Sequence, residues 1–431
     1  MTTHLKILCS FVFLVAPAHF CRAQSPPSTE STPPATFEEL RVLMAKSSPV
    51  LQAAEERVRQ AEARLAGSRL PPNPSLSYER STDLLFGHEG EGAHSVAFTL
   101  PVELGGKREK RIRVAEIEVE IANAELRDVE RQLTGRLRLL YARAIAASSR
   151  RQAVEKLVRE NEGLEAVMNV RLRSGDASKL ESTLLGAETQ RLKLQAMRTS
   201  GEETSRLIEL RSLAGLQPDD RPTLPPEPEF AKTRAVPENE LAVADSFRLR
   251  PDLQTARLRE ESAERSVILT QAARIPNLNP FLGFNRDTNV LEGLLPGPSP
   301  FVDRGNEFVF GISLDLPVFN RRQAEIAEAV SARHQARRER ESLEREIRLQ
   351  ISSALQRVAA SQAASNLATT ELLSEQQESV RILQLSYELG DTGLADLLTQ
   401  RRLLIETELT LIDLREELWL ALAELETAAG R

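Results

Sequence analysis

At 431 residues, with 28% charged but only 4% aromatic, the chain suits long exposed helices better than one thick globular core. Its net charge of −7 argues against a nucleic-acid binder, which normally carries a basic surplus. Both cysteines, Cys9 and Cys21, fall before Gln24, so disulfide and thiol chemistry are excluded from everything after them.

In chain order, Met1–Ala23 reads as a secretory signal. Lys6 precedes the apolar run Ile7–Ala16, which is too short to span a bilayer, and Ala23 offers a small residue before cleavage. Cys21 lacks the small preceding neighbour of a lipidated cysteine. Residues 24–36 are rich in proline and serine and read as a disordered tether. From Phe37 to Ala66 the pattern is helical, broken at Ser47-Ser48-Pro49 and stopped by Pro71-Pro72-Asn73-Pro74. Strands are expected at about 75–80 and 95–103, separated by a glycine-rich loop. Val96, Phe98, Leu100 and Val102 alternate with small or polar residues, which gives a strand one apolar face. A helical hairpin then occupies about 107–215. Its first limb has no proline and would be roughly 100 Å long; it turns at Ser174-Gly175-Asp176.

Residues 218–237 form a proline-rich connector, after which the plan starts again. Arg250-Pro251-Asp252-Leu253-Gln254 echoes Ser48-Pro49-Val50-Leu51-Gln52. Asn279-Pro280 echoes Asn73-Pro74, Leu316-Pro317 echoes Leu100-Pro101, and Gly390-Asp391 echoes Gly175-Asp176. The chain is thus a duplication, with repeats at 37–217 and 238–428. The second repeat has strands expected at about 280–286 and 307–318 and a hairpin at about 321–428. A longer loop, 287–306, separates its strands. Phe308, Phe310, Ile312, Leu314, Leu316 and Val318 make its apolar face, with Val309 on the other side. The fold class is mainly α with membrane β-strands. Four strands cannot close a membrane barrel, which starts at about eight, so strands in lipid require oligomerisation.

These residues resemble the TolC family of outer-membrane efflux proteins over about 37–428. The most specific pieces are Leu100-Pro101-Val102-Glu103-Leu104-Gly105-Gly106-Lys107-Arg108, and Tyr387-Glu388-Leu389-Gly390-Asp391 running into Asp396-Leu397-Leu398. The Leu-Gly-Gly-Lys-Arg variant is similar to the branch that serves heavy-metal and related resistance-nodulation-division pumps. The resemblance implies a homotrimer, with a twelve-stranded β-barrel in the outer membrane continued by a periplasmic α-helical barrel. It implies a periplasmic adaptor and an inner-membrane pump as partners. No cofactor, catalytic group or resident metal is implied, and the substrate is left open between metal ion, drug and solvent.

The family closes its far end with a polar network at the hairpin turns. Carried over, the constriction residues fall on Tyr387, Asp396 and Glu181, with Asp391 and Asp176 at the turns and Gly175 and Gly390 making them. Thr392 and Thr399 stand where the family has an arginine and a second aspartate, which removes the salt-bridge lock. Elsewhere, Lys107, Arg108, Lys110, Arg111 and Arg113 read as a solvated face where a strand leaves the membrane, and His88 with His94 is a weak metal pattern. Alternatives are a periplasmic adaptor, which has one hairpin in a β-rich chain, and a soluble coiled-coil scaffold.

Overall fold

The computed structural model describes residues 36–82, 91–175, 177–217, 220, 224–232, 239–291 and 301–430. The expected signal (1–23), the tether up to residue 35, His88 and Asp176 lie outside them.

Each repeat opens with two short helices meeting at a proline. In the first these are α1 (Phe37–Ser47) and α2 (Pro49–Ser68); in the second, α6 (Asn239–Leu249) and α7 (Pro251–Ala272). Proline at the first helical position starts α2 and α7, because its missing N–H is one that a helix start leaves unbonded. Thr36, the last residue of the expected tether, forms a capping box with Glu39 at the start of α1. Strands β1 (Ser75–Thr82) and β2 (Gly92–Thr99) follow in the first repeat, β3 (Leu278–Leu291) and β4 (Phe301–Leu314) in the second. The long hairpins are α3 (Lys107–Ser174) with α4 (Lys179–Ala214), and α8 (Gln323–Leu367) with α9 (Leu373–Leu389) and α10 (Leu394–Ala428). A short helix α5 (Glu229–Lys232) interrupts the expected connector, and its Phe230 packs edge-on against Phe37.

Strand bounds differ from expectation in a consistent way. At the helix-proximal end β2 stops at Thr99 rather than 103, and β4 at Leu314 rather than 318. Pro101 and Pro317 cannot donate to a ladder, and only a single bridge, Val102 to Leu278, lies beyond. At the far end all four strands run further than expected. The expected loop 287–306 is mostly hairpin, since β3 and β4 pair as far as Leu291 and Phe301. Backbone pairing continues there through polar residues, so the apolar alternation fades while the ladder does not.

The first limb of the second hairpin is also not one regular helix. A π-helical turn, Ala368–Leu372, separates α8 from α9. Thr369 and Thr370 donate their hydroxyls to Ser365 O (2.7 Å) and Asn366 O (2.8 Å), competing with the backbone ladder.

The sheet order is β1-β2-β3-β4, antiparallel throughout, so the two repeats join through β2 and β3. Below the sheet the helices form a wall ordered α2-α3-α7-α8; further down it is α4-α3-α10-α9. α3 runs the whole length at 68 residues, roughly 100 Å. The change of neighbours happens at a belt midway. There Leu40 and Met44 of α1, Tyr141 and Ile145 of α3, Leu210 of α4 and Trp419 of α10 are buried together. On the other repeat Leu253, Ile347 and Ile351 do the same.

Two joints at this belt hold the wall in register. Gly215 follows α4 with φ +74°, and a Cβ there would collide with Ser47 at the α1–α2 break. In the second repeat the end of α10 meets the α6–α7 break. Arg250, 5% exposed, donates to Ala428 O (3.1 Å), Gln350 Oε1 (2.9 Å) and Asp252. Arg131 of α3 donates to Thr427 O (2.9 Å). Two guanidinium groups thus satisfy the last carbonyls of α10, where the helix dipole is negative. Burial opposes ionisation of Asp252, but its bonds to Arg250, the charge of Arg131 and the Leu253 N–H outweigh that and hold its carboxyl below the usual range.

Two outcomes are expected. Gly215→Ala should cost about 1–3 kcal/mol, from a left-handed backbone plus a collision, read as a lower thermal midpoint in detergent. Because the folded Asp252 carboxyl is depressed, its stabilisation is present above the ordinary value of 3.8 and is lost as pH falls through the folded value. Thermal midpoints measured from pH 6 to 3 should fall more steeply in the wild type than in Asp252→Asn.

Candidate functional site

Two regions carry the features that matter for transport: the sheet, and the tips of the hairpins.

In the sheet, register puts every second residue on one face. Leu76, Phe98, Leu282 and Phe310 form one cross-strand row, and Tyr78, Val96, Phe284 and Phe308 the next. The protomer leaves both faces of the sheet open, and on the apolar one Phe310 is 85% exposed, Phe308 74% and Leu76 72%. Below it Leu316, Val318 and Phe319 continue the exposure. From Val318 to Phe308 the band covers about 25 Å of height if the strands tilt about 40°. The opposite face carries Ser77, Ser95, Ala97, Thr99, Asn285, Gly311 and Ser313, with Phe281, which lies against Gly311, and Val309 as its larger apolar members. An apolar face this large turned outwards belongs against lipid, with the small and polar side towards water. Both outer edges, β1 and β4, pair with nothing among the described residues of the protomer.

The basic run at the start of α3 is exposed or half-exposed, and most of it is also bonded. Arg108 donates to Arg69 O (2.9 Å), and Arg111 to Ser68 O (3.2 Å) and Leu70 O (3.3 Å). These cations cap the C-terminal end of α2. Arg111 also pairs with Glu103, whose carboxyl it holds below the ordinary range, and Lys107 donates to Asn277 Oδ1 (2.6 Å). The run ties helix to strand at the sheet's base.

At the other extremity the two hairpin turns meet. Gly175 (φ +86°) and Gly390 (φ +85°) make them, in the left-handed conformation that ends a helix. Met168, Leu185, Leu394 and Leu397 form a small buried cluster, with Leu383 and Tyr387 packed on it. The guanidinium of Arg171, in the last turn of α3, lies 5.9 Å from the centre of the Tyr387 ring, a cation–π contact. Arg171 is the cation that the sequence reading missed: it sits on the first repeat, while the arginine was sought beside Tyr387 in the second. Glu188 is a second unforeseen link, close to Arg191 (2.6 Å) on its own helix and Arg402 (3.4 Å) on α10.

The carried-over residues are not brought together. Glu181 is engaged in a capping box, its carboxylate accepting from Ser178 N (2.8 Å) while Ser178 Oγ accepts from Glu181 N (3.2 Å). The signal for it is Ser178-Lys179-Leu180-Glu181, a serine followed three residues later by glutamate. Asp396 holds the same third position in α10 but has Gly393 as its cap, and it remains exposed. Asp391 is exposed and donates only its backbone N–H, to Ser386 O (2.9 Å). Thr399 bonds its own helix at Ala395 O (2.8 Å). Within one protomer, then, Tyr387 meets Arg171, and the Asp391 and Asp396 carboxylates have no partner among the described residues.

Among the described residues no group of three or more metal-ligating side chains comes together, and no helix is long and apolar enough to cross a membrane. His94 is bonded to the Tyr78 hydroxyl at 2.9 Å.

The chain matches the family described as outer membrane efflux protein over residues 40–216 and 245–431. It is 22% identical to the cobalt-zinc-cadmium resistance protein CzcC of Cupriavidus metallidurans, covering 96% of each chain. It is 28% identical to the nickel and cobalt resistance protein CnrC of the same species, over 72% of this chain and 70% of that one. The solved outer membrane protein VceC of Vibrio cholerae superposes with a TM-score of 0.71 at 16% identity, covering 91% of this chain and 96% of that one.

A charge on the lipid-facing side of the sheet should block insertion. Phe310→Arg is expected to cost about 2–4 kcal/mol of membrane stability, against little for Ser313→Arg on the opposite face. The fraction of protein resisting alkaline extraction from membranes measures the difference.

Proposed function

Because this chain belongs to the outer membrane efflux protein family, acting as the outer-membrane channel of a tripartite efflux system rather than as an enzyme, we propose that three copies of it build one exit duct. The open edges of β1 and β4 carry this reading. In lipid every strand edge must be paired, and three four-stranded sheets give twelve strands, a size that leaves a water-filled bore. The helical wall has the same need. Leu194 and Met197 on α4, and Ile382, Leu385 and Leu389 on α9, are exposed on its two outer members. Neighbouring copies would cover them.

The duct does no chemistry. Energy comes from an inner-membrane pump of the resistance-nodulation-division kind, and a periplasmic adaptor joins it to the hairpin tips. The adaptor and scaffold readings of the chain itself fall with the family assignment, and the outward apolar sheet fits neither.

Divalent metal cations are the cargo we favour. Two relatives are named for cobalt, nickel, zinc or cadmium resistance. The polar face of the sheet adds a physical reason, since all its charges are acidic: Glu79, Asp287, Asp303 and Glu307. At the tips Asp396 and Asp391, repeated three times around an axis, would focus negative potential on the entrance. Tyr387 and Glu181 complete this constriction, Tyr387 latched by Arg171 and Glu181 fixed by its capping box.

The test is single-channel conductance in planar bilayers. Asp391→Asn with Asp396→Asn should lower the cation-to-anion permeability ratio on the order of threefold. Glu181→Gln keeps the capping box and separates charge from fold. Arg171→Ala should raise the closed-state conductance by freeing Tyr387. A ratio unchanged by the aspartate pair would remove them from the constriction; absence of any conductance from assembled protein would end the duct reading.

A further inference from the structure

The sheet segregates charge by face. On the lipid-facing side the charged and imidazole side chains are all basic: Arg80, His94, Arg286 and Arg304. On the other side they are all acidic. Register makes Arg80, His94 and Arg286 one continuous cross-strand row over β1, β2 and β3, with Arg304 one step further along on β4. All four are exposed, and among the described residues none of the three arginines has a carboxylate partner. Directly beneath this row lies the row of Tyr78, Phe284 and Phe308. Phe284 and Phe308 have ring centres 5.1 Å apart, and the Tyr78 hydroxyl reaches up to His94. Aromatic rings at the end of an apolar band mark the boundary between hydrocarbon and headgroups. The basic row therefore stands at headgroup height, at the end of the band away from the helices.

We propose that Arg80, Arg286 and Arg304, with His94, bind the phosphate groups of anionic lipid in the outer leaflet. This rests on the outer-membrane reading of the sheet. Arg80 and Arg286 are two strands apart, roughly 10 Å, far enough to engage two phosphates on one headgroup without competing for one. Guanidinium suits the task because it meets phosphate oxygens through paired N–H bonds. At the opposite end of the band part of the basic charge is already committed. There Arg108 and Arg111 are committed to the carbonyls of α2, and Arg111 to Glu103. Arg321 and Arg322 beside Phe319 are exposed at that end too, so the leaflet is set by position: the row of Arg80 and Arg286 lies at the end of the band away from the helices, where the outer leaflet carries the phosphorylated lipid.

The experiment is native mass spectrometry of the assembled protein in neutral detergent, titrated with bisphosphorylated lipid A. Wild type should retain it about tenfold more tightly than Arg80→Gln/Arg286→Gln/Arg304→Gln, each lost charge-assisted contact contributing two- to threefold. Glu79→Gln/Glu307→Gln, on the other face, should bind as wild type does. If the triple variant does not assemble, the single variants are read one at a time. Equal retention by wild type and the arginine variants would overturn the proposal, as would equal retention of lipid A stripped of phosphate. Displacement of the lipid by inorganic phosphate at matching concentration would also overturn it, as a free-anion site. The triple variant should conduct as wild type does, so failure here leaves the channel reading standing, and loss of conductance in wild type marks failure of that reading instead.

Discussion

Backbone hydrogen bonding in lipid is the constraint on which this architecture depends. A strand edge left unpaired in hydrocarbon costs several kcal/mol per group, and the protomer ends its sheet with two such edges, β1 and β4. Nothing among the described residues covers them. Apolar exposure on the sheet and on the flanks of the helical wall points the same way: the protomer is an open fragment of a closed tube. Duplication supplies the economy, since each repeat contributes one hairpin of sheet and one of helix.

A tube made of stacked helices must also terminate helices in its interior, and arginine does this at both ends of the stretch between sheet and belt. α2 ends beneath the sheet, with Arg108 and Arg111 on its last carbonyls. α10 ends at the belt, with Arg131 and Arg250 on Thr427 O and Ala428 O. Both repeats set a left-handed glycine against the break, Gly215 on Ser47 and Gly430 on Leu249 and Arg250, and the second joint adds the arginines. Duplicated geometry therefore persists while the chemistry of the joint has diverged. At the tips the same holds: Ser178 with Glu181 caps α4, whereas α10 starts from Gly393 and leaves Asp396 exposed.

What was legible in the chain followed from local periodicity. Phe308–Leu314 reads as a two-faced strand because the faces differ chemically, and the long helices read from apolar spacing and from Gly175 and Gly390 at their ends. Asp287–Leu291 and Phe301–Asn306 did not read as strand, because pairing there does not need an apolar face. The π turn at Ala368–Leu372 depends on hydroxyls that bond back along their own helix, which leaves the apolar stripe intact. At the tips, Tyr387, Asp391 and Asp396 could be placed at the second turn, but Arg171 could not. It comes from the other repeat, and only the folded chain sets its guanidinium over the Tyr387 ring. The bonding of the basic run at Lys107–Arg113 is illegible for the same reason, since Ser68, Arg69 and Asn277 are brought to it only by the fold.

The account's central claim is that one face of the sheet meets lipid and the other meets water. Nitroxide labels on single cysteines from Glu307 to Leu314, in protein starting after residue 23 and so free of Cys9 and Cys21, test it directly in reconstituted bilayers. Oxygen, which concentrates in lipid, should collide most with labels at Phe308, Phe310, Ile312 and Leu314. A water-soluble nickel complex should reach those at Glu307, Val309, Gly311 and Ser313. Collision rates that do not alternate, or nickel access at all eight positions, would contradict a lipid-facing strand and with it the barrel.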